Sequence, residues 1–158
     1  MLLEQYVYFA LSSERMTARE MTVLLGVQPD ETSVRGSRSS QPAIPVCHRW
    51  KIVCREPGLR VDEQIAHVLD RLRPHTDRIA GLVKQLADEP GAEGTAVLEV
   101  VRYFRDAHEP GDDGDNGDDE QSGTEKPNLL GWSLDRKVLE FLAVTGAVLD
   151  VDEYDMTG

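Results

Sequence analysis

The chain has 158 residues, enough for one domain to bury a core without disulfides or metal, and a hydrophobic fraction of 40% supplies it. No apolar run approaches the roughly 18 to 20 residues of a membrane span, and Met1-Leu2-Leu3-Glu4 is not the basic then apolar opening of a secretory leader, so a cytoplasmic location is expected. The net charge of −12 is local: residues 1–105 carry 14 acids and 14 bases, whereas 106–125 carry nine acids and no Lys or Arg.

Tyr6 to Ser12 sets Val7, Phe9 and Leu11 against Tyr6, Tyr8 and Ala10, the period of a strand with one apolar side. Thr17 stands three residues before Glu20, a capping box that opens a helix. Met21, Leu24 and Leu25 form its stripe, Gly26 closes it, and Pro29 prevents continuation. From Glu31 to Pro45, Ser, Arg, Gly and Pro predict a short strand near Thr32 to Arg35 and then a loop.

Val46 to Glu56 alternates most clearly. Val46, His48, Trp50, Ile52 and Cys54 point one way, while Cys47, Arg49, Lys51, Val53 and Arg55 point the other, so one side packs on a core and one basic side meets water. The two cysteines fall seven positions apart on this strand, about 23 Å at about 3.3 Å per residue, and cannot bridge within the chain. Reduced thiols suit a reducing compartment.

Asp62 to Leu86 is helical by spacing, with stripes Ile65, Val68, Leu69, Leu72 and Ile79, Leu82, Val83, Leu86 on either side of Pro74. That proline kinks one helix or begins a second. Thr95 to Arg105 returns to period two, with Ala96, Leu98, Val100 and Phe104 on the core side. Residues 106–126 have almost nothing to bury and are predicted to be a disordered insert. Ser133 is read as the cap of a helix over Leu134 to Thr145 ended by Gly146, and Ala147 to Tyr154 as a last strand with Leu149 and Val151 inward. The order predicts a single α+β domain over 1–158: a ferredoxin-like antiparallel sheet with helices on one face, extended by a C-terminal helix and strand.

Tyr6 to Leu11, T-A-R-E-M-T-V-L-L-G-V-Q-P from Thr17 to Pro29, the Arg35-Gly36 pair, the Trp50 strand and L-D-R-K-V-L-E-F-L-A-V-T-G-A-V-L-D-V-D-E-Y from Leu134 to Tyr154 resemble a bacterial family catalogued as domain of unknown function 4279. The resemblance implies a compact bacterial domain and supplies no catalytic residues. By analogy, some such small domains resemble immunity proteins that accompany bacterial toxins.

Two surfaces are candidate sites. In the acidic run, Asp112, Asp113, Asp115, Asp118, Asp119 and Glu120 concentrate charge that attracts a basic partner surface in a salt-dependent way. A calcium loop does not fit: counted from Asp113, Gly117 falls at the fifth ligand position and Glu125 one step past the twelfth. On the open sheet face, Tyr6 and Tyr8 with Arg49, Lys51 and Arg55 form an aromatic and basic set suited to single-stranded nucleic acid, against which Glu99, Asp150 and Asp152 count.

His67 and His75 lack the i, i+4 spacing of a helical metal site, and neither a metal constellation nor a cofactor motif follows from spacing. No nucleophile with its base, carboxylate pair or phosphate cradle is legible, so the expectation is a non-enzymatic module that binds another protein. Nucleic acid or a small ligand on the sheet face is the alternative, followed by an enzyme whose cleft spacing does not reveal.

Overall fold

A computed structural model describes residues 2–92, 95–106 and 129–157. The elements run β1 (Leu2–Ser13), α1 (Ala18–Leu25), β2 (Glu31–Ser33), β3 (Ser39–Ser40), β4 (Ala43–Ile44), β5 (His48–Cys54), α2 (Val61–Leu72), a 3-10 turn (Arg73–His75), α3 (Thr76–Ala87), β6 (Ala96–Arg105), α4 (Arg136–Thr145) and β7 (Val148–Asp155). The main sheet has the order β2-β5-β1-β6-β7. The first four strands pair antiparallel in the ferredoxin-like arrangement, and α4 carries the chain over to β7, which adds parallel to β6. No helix among the described residues is long and apolar enough to cross a membrane.

The alternation in the sequence becomes the two faces of this sheet. Register aligns Ile52 with Phe9 and Phe9 with Leu98, and the neighbouring row aligns Cys54, Val7 and Val100. These residues lie under the helices with Met21, Leu25, Ile65, Leu69, Leu72, Ile79 and Leu86 in one core cluster. Phe141 of α4 meets Phe9 edge to face at 5.7 Å between ring centres, which locks the added helix to the central strand.

The caps fold largely as read. Thr17 accepts from the Glu20 amide and Glu20 reaches back to the Thr17 amide, while Gly26 takes φ +73°, a conformation that disfavours a side chain. Pro74 sits in the 3-10 turn between α2 and α3, so the long helical segment is two helices.

Several positions depart from the periodic reading. Leu24 is 47% exposed, because the eight-residue α1 turns only Ala18, Met21 and Leu25 inward. Val46 is 67% exposed, since β5 begins at His48 and the residues before it belong to the loop. That loop holds the small β3–β4 hairpin, which Ser-rich sequence did not signal. Asp135, not Ser133, caps α4: its carboxylate accepts from the Val138 amide at 2.9 Å. Val151 is exposed because β7 is an edge strand.

Candidate functional site

On the face away from the helices, the register sets Lys51 beside Ala10, Tyr8 between Val53 and Glu99, and Val101 between Tyr6 and Asp152. The five residues read as an open aromatic and basic platform are brought together here, but Tyr6, Tyr8, Lys51 and Arg55 are turned onto one another. Lys51 Nζ lies 3.9 Å from the centre of the Tyr8 ring, and the Arg55 guanidinium lies 4.1 Å from that of Tyr6. Arg55 also pairs with Glu31 at 2.9 Å, and Arg49 Nε donates to Ser12 Oγ at 3.3 Å. Tyr8 is only 7% exposed and donates its hydroxyl to Glu99, so this ring is occupied within the face.

Burial shifts the titration of the same groups. It pushes the Tyr8 phenol well above its ordinary range, with the Glu99 hydrogen bond adding to the effect. It also pushes Lys51 down, with Arg49 adding. Glu99 is raised by burial first; the Tyr8 hydrogen bond opposes this, and Asp152 and Asp150 across the parallel β6–β7 pair reinforce it.

A carboxyl that is less acidic folded than unfolded binds more protons in the folded chain. Stability therefore falls as pH rises from the ordinary Glu value through the raised one. Glu99→Gln, which still accepts from Tyr8, is expected to melt above the parent protein at neutral pH, with the difference closing near pH 4. Thermal melts across that range check it, and a variant that melts lower at neutral pH would refute the sign.

Asp112, Asp113, Asp115, Asp118, Asp119 and Glu120 lie outside the described residues. What is described is the pair of stems from which that run departs. β6 ends at Arg105, and on the other side of the run Leu129 lies against Arg102, whose Nη2 donates to the carbonyls of Leu129 and Leu130 at 3.3 and 3.2 Å.

Arg102 was not singled out by sequence, yet it is 4% exposed on the core side of β6. Its Nη1 reaches Glu153 Oε1 at 2.7 Å and its Nε donates to Gln5 Oε1 at 3.2 Å. Gln5 in turn donates to the Leu59 carbonyl at 2.8 Å and accepts through its backbone from Gln64 Nε2 at 3.2 Å. The signal was there: position 102 falls on the inward parity of β6, between Val100 and Phe104.

A second cluster also escaped the linear reading. Cys54 ends β5, Glu56 follows two positions later, and His67 projects from α2; their sulfur, carboxylate and Nδ1 atoms lie within 4.8 Å of one another. Spacing showed no metal constellation because strand and helix contribute separately. His48, whose place on the inward side of the Trp50 strand suggests a hydrogen-bonded core residue, is only half-buried, and it accepts from the Arg35 amide at 3.1 Å at the surface.

The fold defines the class: an α+β domain with a ferredoxin-like sheet, one helix-covered face and one face on which tyrosines and small apolar residues pack among paired charges. The chain belongs to the family described as domain of unknown function (DUF4279), whose model matches residues 4–111. The match takes in β1 through β6, so α4 and β7 lie beyond it. No curated protein and no solved structure matches the chain.

Proposed function

We propose that this is a non-enzymatic, cytoplasmic bacterial module that binds another protein through that partner's basic surface, in the manner of an immunity-type inhibitor of a toxin. The observation that carries the reading is the charge of the sheet edge next to the end of β6, where the acid-rich sequence begins. β7 is the outer strand and bears Asp150, Asp152 and Asp155 besides Glu153, which Arg102 neutralises, and has no Lys or Arg of its own. Its C-terminal end aligns with the end of β6, Phe104 opposite Asp155, and the nine acids of 106–125 begin there. The strand edge thus puts negative charge beside the point where the acid-rich sequence leaves β6, and charge of one sign there speeds encounter with a cationic surface and selects against anionic ones.

Nucleic acid on the open sheet face draws less support, because Lys51 and Arg55 cover the tyrosines that would stack on bases. The test is a pull-down from bacterial lysate at low and high salt, followed by affinity measurement for the protein recovered. Deleting 110–124 is expected to weaken binding at least about tenfold at low salt and to flatten its salt dependence. Affinity unchanged by the deletion would overturn the reading.

A further inference from the structure

We propose that Cys54, Glu56 and His67 form a binding site for a zinc-class divalent cation at the junction of β5 and α2. Cys54 Sγ lies 3.9 Å from His67 Nδ1, and Glu56 Oε2 lies 3.5 Å from the same nitrogen. Around a tetrahedral zinc, with sulfur at about 2.3 Å and nitrogen and oxygen at about 2.0–2.2 Å, ligand atoms stand roughly 3.3–3.6 Å apart. The sulfur–nitrogen and nitrogen–oxygen pairs stand within a few tenths of an ångström of those separations, and all three atoms lie within 4.8 Å of one another.

Their supports are local. Cys54 closes β5 and is buried, and Glu56, two residues on, brings its carboxylate back to the same place. His67 and Glu56 are exposed, so the site opens to solvent through a cleft of about 540 Å³ that Val53, Val68, Asp70 and Arg71 also line.

Two other readings of the cluster fit less well. A Cys-His-carboxylate catalytic triad uses both ring nitrogens, one toward the thiol and one toward the acid. Here thiol and carboxylate both converge on Nδ1, which is how ligands surround a cation. A His67–Glu56 ion pair accounts for two of the groups and gives no reason for a buried sulfur turned to the same nitrogen.

The donor set chooses the metal. A thiolate and an imidazole suit Zn²⁺ and its borderline neighbours, while Mg²⁺ and Ca²⁺ require oxygen ligands. The two cations that line the cleft are already neutralised, Arg71 by Asp30 at 2.6 Å and Arg55 by Glu31 at 2.9 Å. A thiolate and a carboxylate then balance the charge of a divalent ion. Binding releases the Cys54 thiol proton to solvent, and the fourth position is left to water.

Co²⁺ alone is the probe, added to the full, reduced chain, with Zn²⁺ competition to follow. One equivalent is expected to give a sulfur-to-cobalt charge-transfer band in the near ultraviolet and the intense visible bands of tetrahedral cobalt, both erased by equimolar Zn²⁺. Cys54→Ser should abolish the charge-transfer band, and His67→Ala should weaken affinity at least about 100-fold. Glu56→Gln should weaken it about tenfold, and Cys47→Ser should leave it intact. Because His67 and Glu56 are exposed, their variants fold whatever becomes of the buried thiol. The absence of a band at one equivalent, or a band that survives His67→Ala, overturns the site.

Discussion

Trp50→Ala is expected to destabilise the protein by about 3–5 kcal/mol, measured as the loss in urea-unfolding free energy. Trp50 is fully buried on β5, opposite Leu11 on one side and Thr32 on the other, so its removal opens a cavity beneath α1. The ring also holds that helix, because Nε1 donates to Thr22 Oγ1 at 3.1 Å. Thr22 donates its own hydroxyl to the Ala18 carbonyl at 2.9 Å, so it stays partnered when the indole is lost. Most of the cost is therefore cavity and lost burial, and Trp50→Phe should cost only about 1–2 kcal/mol. A loss below about 1 kcal/mol for the alanine variant would mean that Trp50 does not anchor the α1–β5 contact.

What could be read from sequence divides by the range of the interactions involved. Period-two alternation found β1, β5 and β6 because each is half covered by helices and so keeps one apolar side over most of its length. Thr17, Glu20 and Gly26 were legible for a similar reason: a cap involves residues only a few positions apart. At α4, Ser133 and Asp135 are both good cap residues two positions apart, and local preference does not choose between them. The 3.6 period fails for Leu24 because α1 is too short for a stripe to average over several turns.

The sites depended on pairings that no window of sequence contains. Tyr8, Lys51 and Glu99 were each placed on the correct face, but that they would bury one another follows only from the order β5-β1-β6. The cluster of Cys54, Glu56 and His67 depends on how α2 lies over the end of β5. Composition located the acid-rich run, and topology adds that its stem stands beside an edge strand of the same charge.

Arg102→Ala is expected to cost about 2–4 kcal/mol and to loosen the C-terminal part of the fold before the rest. The side chain serves four acceptors at once: Glu153, Gln5 and the carbonyls of Leu129 and Leu130. Glu153 is half exposed and can be hydrated when its partner goes, which keeps the loss below that of a fully buried pair. The buried Gln5 amide has no such recourse, so Arg102→Met, which restores volume without donors, should recover only part of the loss. Arg102→Lys supplies a single charged point where a planar fork is needed and should fall between the parent and the alanine variant. Glu153→Gln should cost less than about 1 kcal/mol, because it removes one charge-assisted bond and leaves the other three donations in place. Urea unfolding ranks the four variants. Amide exchange tests the location of the effect, since β7 should lose protection in Arg102→Ala while β1 and β5 keep theirs. Equal costs for Arg102→Ala and Glu153→Gln would show that the donations to Gln5, Leu129 and Leu130 contribute nothing, and that the segment after the acidic run is held by α4 and β7 alone.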